Sequence, residues 1–236
     1  MNLPVAILAG GLATRLRPIT EKIPKSLVDV GGKPFIDRQL ELLARNGAQS
    51  VVLCVGHLGY MVEEVVGDGS RWGLSVRYSA DGDRLLGTGG ALKRALPLLG
   101  DAFFVLYGDS YLDCDYGAVE DAFRASRKTG LMTVLRNANR WDRSNVLYRQ
   151  GQLIVYDKTS PSREMEHIDY GLGVLSAAAL KPYHADAPLD LAQVYADLLR
   201  AHELAAFEVT RRFYEIGSPE GLEETRALFA QKGAVG

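Results

Sequence analysis

The chain has 236 residues, 47% of them hydrophobic, and a formal net charge of −2, which allows one large α/β domain with a full core and argues against nucleic acid as a general partner. Two cysteines, Cys54 and Cys114, make no disulfide framework, and His57, His167, His184 and His202 lack the spacing of zinc ligands. No apolar stretch approaches the length of a membrane span, and no charged region precedes the short apolar run at the N-terminus, so the expected location is the cytoplasm.

The first predicted strand, Val5 to Leu8, runs into Gly10-Gly11 and a basic loop carrying Arg15, Arg17, Lys22, Lys25 and Lys33 against only Glu21 and Asp29. Paired glycines at a strand exit present bare N–H groups, and the cations around them suit a polyphosphate. Walker A (G-x-x-x-x-G-K-S/T) is absent, since Gly32-Lys33 is followed by Pro34, and no G-x-G-x-x-G follows the first strand. A phosphate loop of another type remains, with a merely solvated basic loop as the alternative. Ile36, Leu40 and Leu43 predict a helix over Phe35 to Asn46, stopped by Gly47. The apolar run within Ser50 to Val55 predicts a strand covered on both faces, completing a right-handed βαβ unit. A short helix, a glycine-rich turn and a strand at Ser75 to Ser79 follow, and Trp72 reads as packing.

Leu85 to Leu92, LLGTGGAL, opens the next helix, and its glycines would let a flat ligand lie against the backbone. The apolar strand Phe103 to Tyr107 ends in Gly108-Asp109, where a carboxylate suits either a metal or a turn. Asp113 and Asp115 read as solvated loop or water contacts. A helix over Tyr116 to Lys128 precedes strands at Met132 to Arg136, Val146 to Arg149 and Leu153 to Tyr156, the last two a hairpin around Gln150-Gly151. That change from βαβ units to hairpins predicts an antiparallel portion of sheet. A helix over Leu191 to His202 and a last one begun by Ser218-Pro219 close the chain.

A-G-G-x-x-T-R-L-R-P, P-K-S-L and G-K-P in the first loop resemble the signature of the sugar-1-phosphate nucleotidyltransferases. L-G-T-G-G-A, G-D and E-I-G-S-P continue that resemblance in order, from Val5 to about Leu222. It implies a Rossmann-like α/β fold of the nucleotide-diphospho-sugar transferase type, with a mixed, mostly parallel sheet flanked by helices. The single domain would comprise a nucleotide-binding half (1–130), a sugar-binding portion (131–217) and a C-terminal helix (218–236). By the same resemblance, Leu8, Ala9, Gly10, Gly11, Thr88, Gly89 and Gly90 hold the nucleotide, while Arg15 and Lys25 act at the reacting centre. Asp109 and Glu215 hold Mg²⁺, Glu215 standing where the family has Asp. Gly108, Lys158, Asp169 and Gly171 serve the sugar phosphate: Asp157-Lys158-Thr159-Ser160-Pro161 is a variant of the family's E-K-P, and Asp169 replaces the Asn of N-x-G-x-Y. A carboxylate only accepts where an amide also donates, so position 169 is expected to help set sugar identity.

The implied partners are a nucleoside triphosphate and a sugar 1-phosphate, with no nucleic acid and no membrane, and with homo-oligomer formation left open. GTP with a heptose or mannose 1-phosphate leads; a UTP-dependent enzyme of the N-acetylmuramate-1-phosphate type and a non-catalytic nucleotide-sugar-binding regulatory subunit are the alternatives.

Overall fold

Val5, Ile7 and Phe104 face one side of a central sheet while Ala6, Phe103 and Val105 face the other, and all are buried. This is why their strands read as continuous apolar runs rather than alternating ones. The computed structural model describes residues 1–82, 84–184 and 187–233, so the last three residues of the expected C-terminal helix lie outside the described chain. Its first half alternates strand and helix: β1 (Val5–Leu8), α1 (Phe35–Arg45), β2 (Ser50–Val55), α2 (Gly59–Val66), β3 (Ser75–Ala80), α3 (Gly87–Leu99) and β4 (Ala102–Tyr107). All four strands are parallel, in the spatial order β4-β1-β2-β3.

A two-residue strand β5 (Ser110–Tyr111) and helix α4 (Tyr116–Ser126) lead into β6 (Gly130–Arg136), the hairpin β7 (Val146–Arg149) and β8 (Gln152–Tyr156), and the ten-residue β9 (His167–Ser176). β9 inserts between β4 and β6, antiparallel to both, and the hairpin joins the sheet through Val146 opposite His167. After α5 (Leu191–Arg200), β10 (Leu204–Val209) adds parallel to β6 at the far edge. The mixed, mostly parallel sheet and the antiparallel turn in its second half agree with the sequence reading. β10 and the long span of β9 are additions to it.

One hydrophobic cluster joins α1, α2 and α4 to the sheet, and a second joins α3 and α5 to the opposite face. A third, with Leu16, Phe35, Tyr111, Ile216, Leu222 and Phe229, lies under α6 (Pro219–Gly233). The expected cap is present: Ser218 Oγ accepts from Gly221 N at 3.0 Å, with Pro219 at the first helical position. Asp115, expected in solvent, caps α4 by accepting from Ala118 N at 3.0 Å. Trp72 packs partly buried against the first cluster with Arg71 stacked on it. Among the described residues no helix is long and apolar enough to cross a membrane.

Candidate active site

β1 has β2 on one side and β4 on the other, so the chain reverses its direction across the sheet at this strand. Such a reversal opens a crevice at the carboxyl ends of the strands. A cavity of about 240 Å³ lies there, walled by Leu8 to Gly11, Lys25, Ser26, Asp81, Thr88 and Gly108-Asp109 among others. The strand exits converge closely: a methyl group on Gly108 would come within 2.6 Å of Leu8 O, and one on Gly10 within 3.1 Å of Gly56 N. Gly11 faces open space instead. Among the described residues neither Gly10 nor Gly11 gives its N–H to a protein acceptor, which leaves a concavity suited to an anionic oxygen.

Lys25 starts a single helical turn, Lys25–Leu27, and its Nζ lies 2.6 Å from Asp109 Oδ2. Beside it, Ser26 lines the cavity, and its buried Oγ has no hydrogen-bond partner. Sequence reasoning passed over Ser26, whose only signal was its place next to Lys25. The basic loop is not uniformly committed to this site. Lys33 pairs with Glu41 at 2.6 Å, and Arg15, Arg17 and Lys22 are exposed.

Asp109 leaves the end of β4, and Glu215 comes to it through a two-residue ribbon in which β11 (Tyr214–Glu215) pairs antiparallel with β5. Ile216 N donates to Asp109 O at 2.9 Å, locking the ribbon beside the carboxylates. A methyl group on Gly217 would lie 2.9 Å from Arg15 Nη2 and 3.3 Å from Asp109 Oδ2, and would clash with Glu215 Oε2. Arg15, Asp109 and Glu215 therefore converge on one point, and Gly217 makes that approach sterically free. Burial, then the neighbouring Asp109 charge, pushes the Glu215 carboxyl above its ordinary value, against the Gly217 N–H and Arg15. Among the described residues no third His, Cys, Asp or Glu joins these two carboxylates, so a hard cation held here would draw its remaining ligands from outside that set.

A second cavity, of about 340 Å³, shares Tyr107 and Asp109 with the first and runs past Arg143, Asn145, Lys158, Asp169, Gly171 and Phe213 to Glu215. Lys158 Nζ is 3.2 Å from Asp169 Oδ2. The expectation that Asp169 reads the sugar meets a different arrangement: its side chain is 4% exposed, Oδ1 accepts from Gly171 N at 3.1 Å, and Oδ2 accepts from Tyr156 Oη at 3.2 Å. Arg143 and Asn145 were not anticipated. They sit at the end of a loop pinned by buried Asn137 and Ser144, where Asn137 Nδ2 donates to Asp142 O and Ser144 N donates to Asn139 Oδ1 at 2.8 Å. No periodicity announces such a loop.

The glycines of LLGTGGAL divide between the first cavity and a second segment of the chain. Gly87 and Thr88 reach the first cavity, but Gly89 and Gly90 do not line it. Their N–H groups donate to Leu189 O at 2.8 and 3.2 Å, and Leu189 side-chain atoms would lie 2.7 Å from a methyl group on Gly89. Thr88 Oγ1 donates to Asp190 Oδ1 at 3.1 Å and accepts from Leu191 N at 2.8 Å. The missing side chains make room for a crossing segment of the chain.

The family model for nucleotidyl transferases matches residues 5–144. N-acetylmuramate alpha-1-phosphate uridylyltransferase of Neisseria meningitidis is 42% identical over 113 residues, 48% of this chain and 49% of that protein; the matched stretch thus spans about half that relative's length. D-glycero-alpha-D-manno-heptose 1-phosphate guanylyltransferase of Campylobacter jejuni is 26% identical over 215 residues, covering 91% of this chain and 94% of its own. The crystal structure of HddC from Yersinia pseudotuberculosis complexed with GMP-PN superposes with a TM-score of 0.79 at 26% identity, over 96% of this chain and 99% of that one.

Proposed function

The chain belongs to the nucleotidyl transferase family, and from that premise we propose that it transfers a nucleotidyl group from a nucleoside triphosphate to a sugar 1-phosphate. A phosphate oxygen of the sugar 1-phosphate attacks the α-phosphorus. A new P–O bond forms, the α–β anhydride bond breaks, and pyrophosphate leaves with its electron pair. The observation that carries this reading is the pair of joined cavities, with Asp109 on their common wall, Lys25 on the side of the Gly10-Gly11 loop and Lys158 on the other.

A phosphate monoester has its second pKa near ~6, so the nucleophile is mostly dianionic at neutral pH and no general base is required. Repulsion between anions is the obstacle. Two unit charges ~4 Å apart cost roughly 4 kcal/mol at an effective dielectric near 20, and several such pairs meet. Lys25 and Arg15 offset that charge on the triphosphate, Lys158 offsets it on the sugar phosphate, and the Gly10 and Gly11 N–H groups orient the nucleotide. Asp109 and Glu215 would hold Mg²⁺, which when bound supplies Lewis-acid charge neutralisation of the phosphates.

For the substrates we propose GTP with a heptose or mannose 1-phosphate, supported by the 91% coverage of the Campylobacter guanylyltransferase match. UTP with N-acetylmuramate 1-phosphate is the competing pair, favoured by the higher 42% identity over a shorter stretch. The test is pyrophosphate release from four nucleoside triphosphates against these sugar phosphates, with Mg²⁺ and with a chelator. Release is expected for GTP with heptose or mannose 1-phosphate and its loss on chelation. Nucleotide binding without release from any pair would replace the enzyme with a cytoplasmic binding or regulatory subunit.

A further inference from the structure

Lys158 stands on the loop after β8, its side chain 39% exposed, and an ammonium on a four-carbon stem has many places to go. The loop beneath it is nevertheless firm. Asp157 Oδ1 accepts from Thr159 N at 2.8 Å, Thr159 Oγ1 at 2.8 Å and Ser160 N at 2.9 Å. This hydrogen-bonded turn restrains the backbone at the positions where a proline would otherwise do so. The ammonium itself is gathered by three groups: Asp169 Oδ2 at 3.2 Å, the Tyr107 ring at 5.3 Å and the Tyr156 ring at 5.7 Å.

Asp169 has little left for a ligand. Gly171 N donates to one of its oxygens and Tyr156 Oη to the other, the Lys158 ammonium pairs with the second by charge, and the side chain is only 4% exposed. Its backbone N–H donates to Asn145 Oδ1 at 2.9 Å, which ties this point of β9 to the loop before β7. Lys158, by contrast, meets that carboxylate as an ion pair, so the N–H donors of its ammonium remain for a phosphate in the second cavity.

We propose that Asp169 and Tyr156 are positioning residues, which hold the Lys158 ammonium in the second cavity so that it meets the phosphate of the sugar 1-phosphate without a search. This rests on the reading of Lys158 as the sugar-phosphate contact. Asp169 acts through Lys158 and does not read the sugar ring. Tyr156 Oη orients the Asp169 carboxylate, and its ring closes the side of the ammonium opposite solvent.

The test is a double-mutant cycle on the full chain. Asp169→Asn is expected to raise KM for the sugar 1-phosphate about tenfold, and Tyr156→Phe by a smaller factor, with KM for the nucleotide unchanged. On a Lys158→Met background, Asp169→Asn is expected to add nothing further. Losses that multiply independently would overturn the proposal and return Asp169 to direct sugar recognition. A second measurement needs no substrate: the rate at which acetic anhydride acylates Lys158, followed by mass spectrometry of its peptide against the other lysines. It is expected to rise several-fold in Tyr156→Phe and Asp169→Asn, and an unchanged rate in both would overturn the proposal. Absence of turnover by the wild-type chain would sink the proposed activity alone, since the acylation rates decide the positioning role separately.

Discussion

Lys25 has two claims on its charge. In the protein alone its ammonium lies 2.6 Å from Asp109 Oδ2, with both side chains about one-fifth exposed. On the proposed reading, a triphosphate entering the cavity would compete with Asp109 for that ammonium, and Asp109 and Glu215 would then share the charge of a bound cation. Glu215 is already held above its ordinary carboxyl value, by burial first and then by the neighbouring Asp109 charge. Lys25→Ala is therefore expected to lower kcat by about two to three orders of magnitude, since a charge aimed at the transferring phosphoryl group is lost. Turnover within a fewfold of wild type at saturating substrates would remove Lys25 from the reaction.

At the scale of elements, the start of α3 leaves no room for a side chain. Gly87 has φ +73°, and a methyl group there would meet the backbone oxygen of Leu189 at 2.6 Å. A backbone atom cannot rotate away, and the left-handed conformation adds its own cost to any side chain. Gly87→Ala is expected to lower the unfolding free energy by about 1–3 kcal/mol, read from the urea midpoint at unchanged slope. An unmoved midpoint would mean that the segment before α5 yields freely. The β5–β11 ribbon makes the opposite point: two residues on each strand suffice, because Ile216 N fastens to Asp109 O and Thr225 Oγ1 of α6 donates to Glu215 O at 3.0 Å.

Over the whole molecule, the sheet brings distant segments together, and Glu120 shows how its N-terminal end is secured. From α4 its buried carboxylate accepts from Asn2 N at 2.7 Å and from Arg124 Nη2 at 2.8 Å. Burial opposes its ionisation, but these hydrogen bonds and the guanidinium outweigh it, and its pKa falls below the ordinary 4.5. A lowered carboxylate pKa stabilises the fold above the unfolded-state value, and that contribution is lost as pH falls through the folded-state value. Glu120→Gln is thus expected to be less stable than wild type at pH 7 by about 1–2 kcal/mol, with the gap narrowing below about pH 4.5. Urea denaturation at the two pH values checks it, and a gap independent of pH would assign the effect to shape rather than charge.

Some of this was legible in the chain alone. Apolar runs such as those of Ser50 to Val55 and Phe103 to Tyr107 are of the type expected for strands covered on both faces, and a ligand crevice opens at the carboxyl ends of such strands. Gly10-Gly11 follow Leu8 and Asp109 follows Tyr107 almost directly, whereas Lys25 was grouped with them only through the resemblance of its loop to the family's signature. What the tertiary structure alone decided depends on contacts between segments far apart in sequence: β9 entering between β4 and β6, Glu215 carried back to Asp109 by a two-residue ribbon, Leu189 filling the space left by Gly89, and Asp169 turned towards Lys158. Residue type states what a side chain is able to bind. Which of several partners it meets follows from the packing of the whole sheet, and no stretch of sequence carries that information by itself.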